Sequence, residues 1–291
     1  MLPKELIKAV KHLEIVARRA VNDQLAGQYH SVFKGRGMDF LDVREYQPGD
    51  DIRVIDWNVS ARTSELHVKR YVEERELSVF LIVDCSGSQS FGTHHRRKRE
   101  TAAELAALIA FSAIKNNDRV GLLSFTDAIE TFIPPKKGRK HVMRVITEIM
   151  RGNATSAGTD IPAALEYLAR VTKKRTVAFM ISDFMDTGFE KSLKVANRRH
   201  ELIPIVIIDP MEERLPDMGL VNFEDPESAE IVTIDTSNAA LRESYASSMA
   251  QRHSERERMF RKLKLDSVTI RTDQSHIDPL VHYFRQRAKR K

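Results

Sequence analysis

The chain has 291 residues, 42% apolar and 30% charged, with a formal charge of +6. That is enough for one large soluble domain with a sizeable core, or one domain plus a smaller attachment, and the modest positive balance does not demand nucleic acid. A lone Cys85 excludes an internal disulfide. No apolar run approaches the roughly 18–20 residues of a membrane-spanning helix, and the N-terminus lacks a signal peptide's apolar core, so a cytoplasmic location is expected.

From residue 3 to about 26, Leu6, Val10, Leu13, Ala17, Val21 and Leu25 recur at three- and four-residue spacing, which predicts an amphipathic helix. Lys4, Lys8, Lys11, Arg18 and Arg19 line its other face. Such a basic helix suits peripheral membrane association, but packing on its own domain is the expected role.

Residues 35–76 are punctuated by Gly35, Gly37, Pro48 and Gly49, which predicts loops and short strands. Charge of both signs is dense there: Asp39, Asp42, Arg44, Asp50, Asp51, Arg53, Asp56 and Arg62. Arg–carboxylate pairing predicts a rigid subdomain plugged by Trp57, the only tryptophan. The functional alternative is a partner-docking face, since Trp and Arg dominate binding hot spots. The expected division is therefore 1–76, helix and charged subdomain, and 77–291, the main domain.

The apolar run LSVFLIV ends at Asp84 and a Gly/Ser turn, the pattern of a strand buried on both faces. A helix over about 99–115 follows. His94, His95 and the basic run 96–99 before it are expected to form a solvated lead-in. Strands over 119–125 and 128–133 come next, the second an antiparallel edge ended by Pro134 and Pro135. Lys136, Lys137, Arg139 and Lys140 then lead into a helix, as an anion or partner contact or, preferably, a solvated face. A helix over 161–171, a strand over 175–182, a helix over 190–199 and a strand over 201–208 continue the alternation. A hairpin around Asp225 and Pro226, a long helix over 238–265, a strand over 267–271 and a helix over 276–287 close the chain. The alternation predicts an α/β, doubly wound, mostly parallel sheet.

In such a sheet, ligands bind beyond the carboxyl ends of the strands. Asp84, Ser86 and Ser88 stand at one such end, Thr159 in a Gly/Ser/Thr loop and Asp183 at another strand end. All are hard oxygen donors suited to a divalent cation, Mg²⁺ first and Mn²⁺ or Ca²⁺ after it. Turn and N-cap chemistry is the plainer reading of Asp-x-Ser-x-Ser alone.

Several strings carry a resemblance: Gly35-x-Gly37-x-Asp39-Phe40, Arg44-x-Tyr46-x-Pro48-Gly49-Asp50-Asp51-x-Arg53-x-Ile55-Asp56-Trp57, Ala61-Arg62, Val68-Lys69, Asp84-x-Ser86-x-Ser88, Ser182-Asp183-Phe184 and Asp209-Pro210. Together they resemble bacterial domain-of-unknown-function family fifty-eight, often encoded beside MoxR-type AAA+ ATPases. The resemblance implies a von Willebrand factor A-like fold. It also implies a metal-ion-dependent adhesion site, with Ser86, Ser88 and Thr159 as hydroxyl ligands and Asp84 and Asp183 binding directly or through water. An open coordination position would take a carboxylate from a client protein. One departure is Gln89, where many family members carry Met.

The expected function is a metal-dependent protein-binding adaptor working with a MoxR-type AAA+ ATPase in maturation or remodelling of a protein complex. A divalent-metal hydrolase and a basic nucleic-acid-binding protein are the alternatives. Glycine-rich dinucleotide and phosphate loops are absent from the sequence, and one Cys with scattered His gives no zinc spacing.

Overall fold

The computed structural model describes residues 4–33, 39–72, 76–93, 97–152, 154–225 and 230–290. Gly35, Gly37, His94, His95, Arg96 and Pro226, named above, lie outside the described residues. Helix α1 (Lys4–Ala20) runs through a π-helical turn (Val21–Leu25) into α2 (Ala26–Phe33). A small unit follows: β1 (Asp39–Glu45), a 3-10 turn (Ile52–Val54), α3 (Trp57–Thr63) and β2 (His67–Val72). The main alternation is β3 (Ser78–Asp84), α4 (Lys98–Lys115), β4 (Arg119–Phe125), β5 (Ile129–Lys136), α5 (Arg139–Arg151), α6 (Ile161–Val171), β6 (Val177–Ser182), α7 (Glu190–Arg199), β7 (Glu201–Ile208) and α8 (Pro210–Glu213). The hairpin β8 (Leu220–Glu224) and β9 (Ile231–Asp235), then α9 (Ala239–Lys262), β10 (Val268–Arg271) and α10 (Ile277–Lys289) complete it.

The central sheet has the order β10-β7-β6-β3-β4-β5, parallel except for β5. This is the α/β, mostly parallel arrangement the alternation predicts. Strand β3 is apolar throughout because both its faces are covered. Val79, Leu81 and Val83 pack in a core shared with α1, α2, α4, α5 and α10, whereas Phe80 and Ile82 meet α6, α7 and the Phe260 end of α9. The chain leaves β3 toward β4 on one side and later returns to β6 on the other. The crevice between the ends of β3 and β6 is thus a topological switch point.

The N-terminal helices belong to this packing. Leu25, Tyr29 and Val32 are fully buried in the same core as β3. Tyr29 donates to Asp118 Oδ2 at 3.0 Å, and the backbone N–H of Leu77 donates to Asp118 Oδ1 at 2.9 Å. The helical stretch is longer than the expected 3–26 because the π turn carries it on to Phe33. Among the described residues, no helix is long and apolar enough to cross a membrane.

In the small unit, Arg44 grips Asp50 through two hydrogen bonds of 2.7 Å, and Arg70 grips Asp42 at 2.8 and 3.0 Å. Trp57 is not the plug the sequence suggested. It is 66% exposed, and among the described residues of the unit the buried apolar side chains are Ile55 and Val68, paired through an antiparallel β-bridge. The reason is local: Asp56 caps α3 by accepting from the N–H groups of Asn58 and Val59, which sets Trp57 at the exposed first position. Two residues of the basic cluster at the start of α5 are ion-paired within the chain: Arg139 binds the buried Glu14 of α1, and Lys137 binds Glu76.

Candidate functional site

At the carboxyl end of β3 the chain makes a tight turn. Asp84, only 1% exposed, accepts from the Ser86 N–H at 2.9 Å through Oδ1 and from the Ser182 hydroxyl at 2.6 Å through Oδ2. Burial, reinforced by the charge of Asp183, pushes its carboxyl up to about 7. The Ser86 and Ser88 hydroxyls lie 3.0 Å apart, and Ser88 donates to Asp183 Oδ2 at 2.9 Å. Four of the five anticipated residues therefore form one unbroken hydrogen-bonded run. Thr159 is not in that run, but it lines the same cavity as Ser88 and Asp183.

Asp183 is aimed by the turn after β6. The next residue, Phe184, has φ +55°, a left-handed conformation costly for a residue with a side chain. Its N–H bonds the Ser182 hydroxyl at 3.0 Å, and the Met185 N–H bonds Asp183 Oδ1 at 3.3 Å. The Phe184 ring, 5.3 Å from that of Phe260 and 6.0 Å from that of Phe189, anchors the turn by burial.

Lys98 was hidden inside a basic run expected to be solvated. It is wholly buried instead, donating to Asp183 Oδ2 at 2.7 Å and to Glu212 Oε1. Burial works against its ammonium, but the two carboxylates outweigh that and hold it above its ordinary value. Glu212 is raised, chiefly by burial, with Lys98 opposing. It is placed by a capping box with Asp209, whose carboxylate accepts from the Thr93 N–H and hydroxyl, the Met211 N–H and the Thr272 hydroxyl. From α9, the buried Arg256 donates to the Asp183 backbone carbonyl at 2.9 Å. Lys98, Ser182, Glu212 and Arg256 carry the site with the predicted residues, yet no sequence reading named their roles. The one available signal was a lysine in the first turn of a helix, where the dipole disfavours it unless carboxylates pair with it.

Above this floor lies a cavity of about 580 Å³ whose walls include Met185, Met211, Phe223, Tyr245, Met249 and Arg252. Among the described residues, no three His, Cys, Asp or Glu groups gather as a metal cluster. The donors present are mainly hydroxyls with two carboxylates. Oxygen donors of this kind, at mutual spacings of 2.9 and 3.0 Å, match the preference of a small hard cation. The Lys98 ammonium opposes one. Gln89, buried beside Ser88 in sequence, has both side-chain amide atoms without a partner among the described residues.

An uncharacterized protein of Mycobacterium tuberculosis is 32% identical over 289 residues, covering 98% of this chain and 90% of its own length. The uncharacterized protein YeaD of Bacillus subtilis is 30% identical over 115 residues, 40% of this chain and 27% of its own. Among solved structures, the conserved hypothetical protein BatB from Bacteroides thetaiotaomicron is similar at 16% identity and a TM-score of 0.48, covering 73% of this chain and 99% of its own, a likeness too loose to argue from. Residues 42–256 match the family described as "Protein of unknown function DUF58". With three quarters of its length inside that match and a relative spanning nearly all of it, the chain belongs to the DUF58 family.

Proposed function

We propose that this protein is a von Willebrand factor A-like module that binds a partner through a divalent cation, serving as an adaptor with a MoxR-type AAA+ ATPase in maturation or remodelling of a protein complex. The observation that supports this most is the run of oxygens from Asp84 to Asp183 at the switch point, opening on a cavity. Ser86, Ser88 and Thr159 would hold the cation through hydroxyls, with Asp84 and Asp183 as its carboxylates and Mg²⁺ the best match. Bound there, the cation supplies a positive contact for a client's carboxylate. An adaptor needs a second contact surface, and the exposed Trp57, Ile52 and Leu66 of the small unit support one.

The test is binding of the source organism's MoxR-type ATPase, and of proteins captured with it, in Mg²⁺ and in EDTA. Association should require the cation and should be lost in Asp84→Asn, a change that keeps an acceptor for the Ser86 N–H. Association undiminished in EDTA would overturn the reading.

A further inference from the structure

Asp183 Oδ2 accepts two hydrogen bonds, from the Ser88 hydroxyl at 2.9 Å and from the Lys98 ammonium at 2.7 Å. This oxygen is thus shared between the anticipated cation site and a cation that the chain already owns. Lys98 is fully shielded from water, so its charge acts at short range in a low-dielectric setting. It sits in the first turn of α4, where the helix dipole adds further positive potential. Among the described residues, Asp183 and Glu212 are its counter-charges.

We infer that Lys98 is a tethered competitor for the divalent cation. It occupies Asp183 when the ion is absent and yields to Glu212 when the ion binds. This rests on the metal-binding reading above and specifies how that site is regulated. The geometry supplies both positions. Glu212 already accepts from the same ammonium, so Lys98 can release Asp183 and still keep a counter-charge. Glu212 also lines the cavity and belongs to the four-residue α8, fixed at its start by the buried Asp209. A doubly charged ion on Asp183 and an ammonium on the same oxygen repel strongly at that distance. Occupancy by the ion therefore depends on moving Lys98. An internal cation also keeps the paired carboxylates of an unloaded site from destabilising the fold.

The experiment is calorimetric titration of the full chain with Mn²⁺, paired with thermal melts, for wild type, Lys98→Met and Glu212→Gln. Methionine keeps the unbranched volume and removes the charge. Lys98→Met should bind Mn²⁺ at least about tenfold more tightly than wild type, because the competitor is gone. Glu212→Gln should bind it more weakly, because the displaced ammonium has lost its second carboxylate. If wild type binds and both variants match it, Lys98 does not compete and the inference is overturned while the metal reading stands. If only Lys98→Met binds, Lys98 blocks the site without yielding to the ion, and the inferred exchange falls together with the wild-type metal reading. If none binds, both fall. Should Lys98→Met fail to fold, Glu212→Gln decides: weaker binding than wild type supports the competitor, and equal or tighter binding overturns it.

Discussion

Gln89 carries a primary amide into a position 1% exposed where neither its oxygen nor its nitrogen finds a partner among the described residues. An unsatisfied buried amide costs about 1–3 kcal/mol relative to a group that needs no partner. Methionine has nearly the same length and no such need. Gln89→Met should therefore stabilise the protein by about 1–2 kcal/mol in urea unfolding. A loss of stability would show that the amide is bonded in solution. The residue scale also marks where sequence reasoning reaches its limit. Asp84, Ser86, Ser88 and Asp183 were legible because oxygen donors directly after an apolar strand advertise a sheet edge. Lys98 was not, because its partners lie 85 and 114 residues away along the chain, and its neighbours in sequence suggest a solvated charge run.

Between elements, one joint stands out: Tyr29 of α2 and Leu77 ahead of β3 both donate to Asp118, just before β4. Burial pushes the Asp118 carboxyl up to about 6 despite these bonds. The folded state thus holds this proton more tightly than the unfolded chain, where an aspartate titrates near 3.9. The associated stability is fully present below about pH 4 and is lost as pH rises through about 6. Unfolding free energy measured across pH 4 to 7 should contain a falling component of up to about 2–3 kcal/mol from this group. Asp118→Asn, which keeps an acceptor for Leu77, should flatten that component; an unchanged pH profile would exclude Asp118 as its source. At this scale the helices and strands were readable from periodicity, since buried faces repeat at 3.6 or 2 residues. The π turn joining α1 to α2 was not, because an extra residue in a helical turn leaves no compositional mark.

For the molecule as a whole, the chain's N-terminal part is structural to the sheet domain. The division at residue 76 follows a change of composition, yet α1, the π turn and α2 place Val10, Leu13, Leu25, Tyr29, Val32 and Phe33 in the core under the sheet. A fragment of residues 77–291 should consequently bind a hydrophobic dye and lose near-ultraviolet circular dichroism, the marks of lost packing. A cooperative melt close to that of the full chain would refute this. The edge strand β5 bears on how such a molecule meets others. Its register with β4 shifts between Val120 and Leu122, opposite Pro134 and Pro135. Two successive residues there carry no N–H, and the register shift falls at the same place. A foreign strand trying to extend the sheet would find its ladder interrupted after a few rungs. Strand addition at that side is confined to a short stretch. On that side, contact with another molecule depends on side chains rather than on a continuous backbone ladder, so any affinity there will follow the chemistry of individual residues.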